Sequence, residues 1–520
     1  MKGKTLFSGR ILTLLAIVAL SVLTAAGQAL AMDTFFVGPR AMGMAGANVA
    51  SVNNTTAQYY NPAAFGFLDR RNDQGKTTAY DNNDMGRKVW GLDLNAAGGY
   101  RLHNQFGSYL DDLSKIDINQ LSASGISSQS DLENLINLFK DLSGLDRPGN
   151  AITADLNAGL GVRFGHFALG ARAFAQATGR VVDLDETHLG LTLPGGTDLN
   201  NQIGSVSVTG FSGQSATLFT PEQQQILLNA GLSQSSVDKL DFLARQEGIN
   251  QDQTQAVTNL LDSLTQQTLG TSAANALAQN TTTVLLNGFA LGEVPLSYGY
   301  AINDHWSVGG NLKLLVGRVY GTQILVFDTD SGDVLSKADQ NYKETTNFGI
   351  DLGVMGRYRY VNFGLVARNI NSPSFDGPTV STVLNDGSVQ TVRFPDVKVD
   401  PQVSAGVAFI PFQTLTLEAD CDLTSNNTTF THYAPDKNYR TQNLGFGLEW
   451  TPFHVLALRA GTYKNLRASD IGWVYTAGLG VNLWGTRLDL AGAFAGKQDQ
   501  YNGNDIPRET RLSAQLSVDF

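Results

Sequence analysis

The chain has 520 residues, a formal net charge of −11 and a single cysteine, Cys421. The acidic balance excludes the basic surface that nucleic-acid binding needs, and the lone cysteine excludes an internal disulfide. Charged residues make up only 16% of the chain whereas Gly occurs 55 times, a balance typical of a protein whose outer face does not meet water.

Residues 1–31 have the three parts of a secretory signal peptide. Lys2, Lys4 and Arg10 supply the positive start, an apolar run follows, and an Ala-Leu-Ala cleavage site ends at Ala31. The alternative is an uncleaved membrane anchor, which needs a longer apolar core. We therefore predict an exported protein. Because no other stretch is apolar enough for a spanning helix, the mature chain is either soluble or enters a membrane as strands.

Residues 32–87 are rich in Gly, Ala and Asn, with scattered aromatic residues. At 58–66 the sequence reads QYYNPAAFG, an apolar stretch broken by Asn61-Pro62. Pro has no N–H to donate and disfavours helix at the residue before it, so this pair predicts a turn. Taken alone, the stretch fits a poor strand, a turn or a plug, and the rest of the chain decides between them.

From residue 88 onward, apolar and polar residues alternate with a period of two. Near the end of the chain Leu512 and Leu516 alternate with Arg511 and Gln515, and the last residue is Phe520. This period predicts strands with one apolar face, and most are near the ~9–11 residues that a tilted strand needs to cross a bilayer. The segments lie at about 88–100, 152–164, 167–178, 283–302, 305–327, 343–358, 361–370, 401–410, 413–424, 440–451, 454–464, 471–484, 487–497 and 509–520.

Short and long connections alternate between these segments. Outer-membrane barrels follow this rule, with short turns in the periplasm and long loops outside. A soluble β-sandwich has no reason to sort its loops by length, and its strands are shorter. We predict an all-β transmembrane fold, an antiparallel outer-membrane β-barrel of about 14 strands over 88–520. The six tight turns lie at 165–166, 303–304, 359–360, 411–412, 452–453 and 485–486.

The two faces of such a wall meet different surroundings. Lipid offers no hydrogen bonds, so the sheet must close, with its apolar face toward lipid and its polar face toward the lumen. Fourteen strands enclose a wider lumen than the ~8-stranded barrel that its own side chains fill. We therefore interpret residues 32–87 as an N-terminal plug. The predicted lumen side chains are Asp155, Arg163, Arg172, Asp351, Arg357, Arg368, Glu418, Asp420, Asp422, Arg459, Asp489, Arg511 and Gln515. The predicted interfacial aromatics are Trp90, Tyr100, Trp306, Tyr358, Trp450, Trp473 and Trp484.

The two largest connections, about 101–151 and 179–282, carry helical patterns that are too short and polar to span a membrane. We predict a helical cap above the barrel. A cap that only shields the lumen and a groove that collects ligand both remain open.

Start and stop signals support these helices. Ser130 and Glu133 form a capping box ahead of an apolar helical repeat. Thr220 and Pro221 begin a second helix, which Gly231 ends. Further helical patterns lie at about 235–247 and 253–279.

Residues with reactive side chains do not gather into a catalytic or metal-binding motif. The six histidines scatter without ligand spacing. Asp328, Asp330 and Asp333 resemble a calcium loop, but Gly332 stands one place early, so we interpret them as a solvated turn. No nucleophile elbow occurs, and Cys421 lies on the apolar face as a small filler. We predict no enzyme activity, no metal site and no cofactor.

Three stretches resemble a known family: RAMGMAGA at 40–47, YYNPAA at 59–64 and EVPLSYGYAINDHWSVGGNLK at 293–313. Together with the signal peptide and fourteen strands, they resemble the FadL/TodX family of outer-membrane transporters for long-chain fatty acids and aromatic hydrocarbons. The likeness is closest to its conjugal-transfer TraF-like branch. The 179–282 connection is larger than the family pattern leads us to expect.

The resemblance implies passive uptake of a hydrophobic small molecule in a Gram-negative outer membrane. The molecule would be caught at the outer loops, would pass to a pocket beside the plug, called a hatch in the family, and would leave sideways into outer-membrane lipid. We expect the sideways gap near the third strand, where Gly170 and Gly179 permit a kink, and insertion by the barrel-assembly machinery through Phe520. The alternative is a surface interaction or assembly role without transport, with other envelope proteins as partners. The implied plug residues are Met42, Gly43, Tyr59, Tyr60, Asn61, Pro62 and Ala63, and the implied substrate-binding residues are Phe35, Phe36 and Phe65.

Overall fold

The computed structural model describes residues 35–70, 85–117, 121, 125–185, 188, 199–266, 278–326, 341–431 and 439–520. The predicted signal peptide and the turn with Asp328, Asp330 and Asp333 lie outside these residues. Within the described ranges, no helix combines the length and the apolar character needed to cross a membrane.

Fourteen antiparallel strands close into one barrel, as the alternating pattern predicts. The order around the wall is β1 to β7, then β12 to β17, then β20, which pairs with β1 through rungs such as Leu516 with Leu94. The described strands are β1 Trp90–His103, β2 Ala151–Phe164, β3 Phe167–Val182, β4 Thr283–Ala301, β5 Trp306–Leu325, β6 Tyr342–Arg357, β7 Val361–Arg368, β8 Ser374–Phe375, β9 Thr379–Val383, β10 Val389–Arg393, β11 Val397–Lys398, β12 Gln402–Phe412, β13 Leu415–Asp422, β14 Asn443–Trp450, β15 Leu456–Asn465, β16 Trp473–Leu483, β17 Thr486–Ala495, β18 Gln498–Tyr501, β19 Asn504–Pro507 and β20 Glu509–Asp519.

The strands outside the barrel form small sheets in the long loops. β8 pairs with β11, β9 with β10, and β18 with β19. The sequence reasoning did not predict these pairs, because strands of two to five residues are too short to show a period.

The wall has one apolar and one polar face. On β20, Leu512 is 62% exposed and Leu516 49%, whereas Arg511 and Gln515 between them are 5% and 3% exposed. Every lumen side chain predicted from the sequence is buried, and the apolar positions between them point outward. The predicted inside-outside assignment is confirmed, and lipid therefore meets an almost purely apolar surface.

The two ends of the barrel chain meet at the start of β1. The Phe520 ring stacks on Trp90 with centroids 5.2 Å apart, and the Phe520 carbonyl accepts the N–H groups of Val89 and Trp90. Closure leaves no unpaired edge in the membrane, where an unpaired backbone group costs several kcal/mol.

The cap is helical, as predicted, and has its own apolar core. Phe139, Leu240 and Leu261 are almost fully buried in it, and the same cluster reaches Leu102 of β1 and Val181 of β3. The cap therefore rests on the outer ends of the wall. The helices in the two largest connections are Phe106–Lys115, Gln129–Asp146, Leu199–Ser205, Pro221–Asn229, Gln234–Gln246 and Thr254–Gln266.

One predicted capping box is wrong by two residues. The helix Gln129–Asp146 begins at Ser128, whose hydroxyl accepts the N–H of Asp131, and the Asp131 carboxylate accepts the Ser128 N–H in return. Ser130 and Glu133 have the same spacing, but the observed capping box starts two residues earlier, at Ser128. The Thr220–Gly231 prediction is confirmed, with Thr220 as the N-cap.

Candidate functional site

The described part of the plug, residues 35–70, fills the lumen with short helical turns. Its elements are Pro39–Gly43, Ala57–Tyr60 and the 3-10 turn Pro62–Phe67, and nearly all their side chains are buried. Asn61 is extended, ends one element and caps the next, because its side-chain oxygen accepts the Ala63 N–H at 3.1 Å. The Asn61-Pro62 pair therefore breaks the chain inside the barrel, and this stretch is not a strand.

A buried ionic chain ties the first half of the plug to the wall. The Arg40 Nε atom lies 2.9 Å from the Glu449 carboxylate of β14. Glu449 also binds Arg459 of β15 at 2.7 Å, and Arg459 binds Asp489 of β17 at 2.7 Å. All four groups are buried, and Arg487 of β17 also lies 2.8 Å from Asp489 and 3.7 Å from Glu449. Glu449 therefore loses one of its three guanidinium partners when Arg40 leaves.

Two wall carboxylates hold the plug backbone directly. One oxygen of Asp420 accepts the N–H groups of Asn48 and Val49 at 2.7 and 2.8 Å. The neighbouring Glu418 accepts the Ala50 N–H at 2.7 Å. Three hydrogen bonds to successive backbone N–H groups fix this segment on β13.

The second half of the plug meets the opposite wall through neutral contacts. Ser307 donates to the Ala63 carbonyl at 2.7 Å, and the Asn311 side chain donates to the Gln58 carbonyl at 2.7 Å. Gly309 faces the plug so closely that a Cβ there would overlap the plug backbone. A lumen-facing glycine is needed at this point because two backbones touch.

The structure places all seven predicted plug residues inside the lumen, but it separates the predicted substrate-binding residues. Phe35 and Phe65 lie in one apolar cluster, where the Phe35 ring is 5.1 Å from Phe174, and Phe36 lies in another. The Phe36 ring is 5.1 Å from Tyr463. A cavity of only about 20 Å³ adjoins Phe36, enough for about one water molecule. The space next to Phe36 is therefore filled, whereas a mainly apolar cavity of about 920 Å³ is lined by Asn157, Phe174 and Ala491.

One seam in the wall is interrupted. β3 and β4 pair regularly except at Gly170 and Ala171, which face Pro295 and Val294 without forming rungs. Pro295 has no N–H to donate, and this loss weakens the ladder at that point. Gly170 lies at this interruption, whereas Gly179 is regularly paired on both sides, and the sideways gap at either residue stays a prediction.

The plug fills this seam with one side chain. The Gln58 amide donates to the Pro295 carbonyl at 3.3 Å and to the Ser297 hydroxyl at 3.0 Å, and its oxygen accepts from Arg172 at 3.2 Å. A side chain at Gly170 would collide with the Gln58 amide oxygen. Gly170, Pro295 and Gln58 therefore lie against one another at the seam.

Comparison with protein families matches residues 58–422 to the family described as the F plasmid transfer operon TraF protein. The chain belongs to this family. The match begins at Gln58 in the plug and ends at Asp422, the last residue of β13, so it covers the interrupted seam. The TraF part of the predicted resemblance is confirmed.

A search of curated protein sequences finds no significant match. Among solved structures, the chain is similar to the Pseudomonas putida toluene transporter TodX, with 12% identity, a TM-score of 0.44, and 93% of this chain and 98% of that one covered. The Ralstonia pickettii toluene transporter TbuX gives 10% identity, a TM-score of 0.43, and 93% and 98% coverage. A Pseudomonas aeruginosa FadL homologue gives 12% identity, a TM-score of 0.41, and 95% and 99% coverage.

Sequence reasoning missed the residues that hold the plug of this TraF-family chain. Arg40 is a lone charge in a stretch of small and apolar residues, and this isolation was a usable signal for a buried partner. Pro295 interrupts an otherwise alternating strand, which signals a weak point in a sheet. Nothing in the local sequence links Gln58 to Pro295, because only the fold brings them together.

Proposed function

We propose that the protein is a passive channel of the Gram-negative outer membrane that takes up hydrophobic small molecules and releases them sideways into lipid. The interrupted β3–β4 seam carries this proposal, because it is closed by a plug side chain and not by a backbone ladder. The supporting frame is a closed barrel with an apolar outer face and a filled lumen. The signal peptide over 1–31, and insertion through Phe520 by the barrel-assembly machinery, belong to this proposal.

Geometry favours a sideways route over a straight one. The plug blocks the direct path to the periplasm, and its buried charges make full removal costly. A hydrophobic molecule gains nothing from entering water, but it is stabilised on reaching the hydrocarbon layer by ~25 cal/mol per Å² of apolar surface. At this seam two rungs of the backbone ladder are missing, and the Gln58 amide lies against it from the lumen side.

Moving the chain's own rings would enlarge the cavity of about 920 Å³ that Phe174 lines. Phe35 and Phe36 fill positions next to Phe174 and Tyr463. A long-chain fatty acid or an aromatic hydrocarbon would replace these rings and restore their apolar contacts. No cofactor or energy source takes part, because the molecule moves down its own gradient.

The test is a disulfide across the seam. In a Cys421→Ala background, Ala171→Cys with Val294→Cys faces the interrupted positions, and we expect the oxidised barrel to lose uptake of a labelled fatty acid and of toluene. Reduction should restore uptake. The matched control is Ala173→Cys with Gly292→Cys, two positions along a regular part of the same ladder, where the bond should change nothing. Equal uptake by both locked barrels would overturn the sideways route.

A second function, assembly at the cell surface, is favoured by the large helical cap with its own core. The structure describes six cap helices, far more than a simple lid over a lumen requires. Mass spectrometry of the purified protein separates the two functions. A retained fatty acid or aromatic ligand supports transport, whereas co-purified envelope proteins without ligand support assembly.

A further inference from the structure

The loop between β13 and β14 begins at the outer end of the barrel and then turns inward. Asn426 and Thr441 pair through two backbone hydrogen bonds of 2.8 and 2.9 Å, which pinch the loop at its base. Beyond Asn426, the residues Thr428 to Thr431 are buried, and Asn427 is half-buried. External loops normally lie on the surface, so buried threonines at this place require a partner inside the barrel. We call residues 426–431 the crossing segment.

The partner is the opposite wall. The Thr429 hydroxyl is hydrogen-bonded to the hydroxyl of Thr178 in β3 at 2.7 Å. The Thr429 N–H and hydroxyl also both donate to the side-chain oxygen of Gln176 at 3.2 Å. Going round the barrel from β13 through β12, β7, β6, β5 and β4 to β3 takes six steps in a ring of fourteen. A segment that starts at β13 and touches β3 therefore passes through the interior, nearly along a diameter.

An aromatic lock holds the crossing segment in place. The Phe430 ring, 2% exposed, stacks on His103 of β1 with centroids 3.7 Å apart and planes 10° apart. Tyr439 meets the same Phe430 ring edge-on at 4.7 Å. The His103 ring is itself oriented, because its two nitrogens lie 2.7 Å from the Asp470 carboxylate and 3.1 Å from the Thr153 hydroxyl. Loops β13–β14 and β15–β16 thus converge on one imidazole.

The crossing segment and the plug enclose a short piece of lumen between them. The small cavity next to Phe36 is bounded on its other side by Tyr439 and Thr441, which follow the crossing segment in the chain. Residues from the same external loop as the crossing segment therefore line the space next to Phe36, and we expect a molecule coming from the cap to pass this loop before it reaches Phe36. The lumen has two closures in series, one from the N-terminus and one from an external loop.

We propose that the crossing segment is an outer gate of the lumen, separate from the plug. Its contacts differ from those of the plug in a way that suits movement. The bonds from Thr429 to the wall are between neutral groups, whose net contribution is modest and whose partners can be replaced by water at the mouth of the barrel. The plug, in contrast, is tied by buried charges that have no such replacement. This inference does not depend on which ligand the barrel carries.

The test measures how fast a reagent reaches Phe36 from outside, which needs no transport. In a Cys421→Ala background, Phe36→Cys serves as the reporter, and a membrane-impermeant maleimide is added to intact cells. We expect slow labelling in the parent and about tenfold faster labelling after Phe430→Ala, because the ring packing that closes the segment is lost. The matched control is Phe211→Ala, an aromatic of the cap that packs on Phe242 away from the lumen, and it should leave the rate unchanged.

A second variant, which carries a crosslink, tests the gate without the Phe430→Ala substitution, so misfolding of that substitution does not decide the outcome. Thr178→Cys with Thr429→Cys replaces two hydroxyls that lie 2.7 Å apart, a separation compatible with a disulfide. We expect this pair to oxidise within one chain and to keep the heat-modifiable gel mobility of a folded barrel. Failure to oxidise, fast labelling of the parent reporter, or an unchanged rate after Phe430→Ala would each overturn the gate.

Discussion

The plug and the cap are the two large parts of the chain outside the barrel wall, and opposite forces hold them. The plug is small, threads through a polar lumen, and is fixed by Arg40, Glu418 and Asp420 at defined atoms. The cap is larger and is held by an apolar cluster with few defined polar contacts to the barrel. Apolar packing tolerates exchange among similar side chains, whereas a buried charge tolerates no loss of its partner. The plug is therefore positioned by specific polar contacts between defined atoms, whereas the cap is positioned by the packing of apolar side chains.

The largest expected effect comes from removing the plug charge. Arg40→Met leaves Glu449 with one guanidinium fewer and strips the Arg40 bond to Ser51, so we expect plug docking to lose ~3–5 kcal/mol. The loosened plug should let ions through, which planar-bilayer conductance will measure. Unchanged conductance would mean that the ionic chain does not hold the plug.

Arg70→Met is the matched control for that change. Arg70 also belongs to the described plug segment, but its pair with Asp304 is largely exposed to solvent. An exposed pair contributes ~0–1 kcal/mol, so conductance should stay at the parent level. Equal effects of the two substitutions would erase the distinction between buried and exposed anchoring.

A cavity in the cap core tests whether the cap is held independently. Phe139→Ala removes a fully buried ring from the helix Gln129–Asp146, and we expect a loss of ~3–5 kcal/mol from the cap alone. Hydrogen exchange should speed up in the cap helices while barrel strands stay protected. Ile226→Ala, at a partly exposed cap position, should have little effect. Loss of barrel protection would show that cap and wall fold as one unit.

A substitution on the lipid-facing side of the wall provides a comparison in which the contacts of the plug and the cap are unchanged. Leu479 is an outward residue of β16, and Leu479→Arg should cost ~2–4 kcal/mol because the charge meets hydrocarbon. The folded fraction after refolding into vesicles measures this cost, with Leu479→Val as the control. A full folding yield for the arginine variant would contradict the outward assignment while leaving the plug and cap contacts untouched.

The most gradual expected effect is a pH dependence of the cap, because it is spread over about three pH units. Burial in the helix Gln129–Asp146 raises the pKa of Asp141 to about 7 from its ordinary 3.8, with smaller effects from Lys140, Asp112, Lys115 and Glu247. The folded cap then holds a proton that the unfolded chain releases between about pH 4 and 7. The free energy of unfolding of the cap should therefore fall as pH rises through that window, by at most ~1.4 kcal/mol per unit.

Asp141→Asn should remove this slope and stabilise the cap at neutral pH, as measured by cap hydrogen exchange at pH 5 and pH 8. Glu222→Gln, at an exposed position of the helix Pro221–Asn229, is the control and should keep the slope. A parent cap with equal stability at both pH values would contradict the burial of an uncompensated carboxyl.

Sequence reasoning predicted the barrel strands well and the site only in part. The strand β20 is readable because lipid on one side and water on the other impose a strict alternation on every residue. The sequence analysis expected a kink at Gly170 and at Gly179; Gly170 lies at the interrupted pairing, whereas Gly179 is regularly paired. Glycine alone does not mark a gap. The pairing with Pro295 marks it, and that pairing depends on register.

The sequence by itself determined the two-sided wall, its fourteen strands, the alternation of short and long connections, and the helical character of the cap. These features follow from periodicity and from start and stop residues, which act within a few residues of one another. Only the tertiary structure decided that Arg40 reaches Glu449, that Gln58 fills the seam and that Phe430 crosses the lumen to His103. Each of these contacts joins residues far apart in the chain, and the closed barrel brings them together through a geometry that no local pattern encodes.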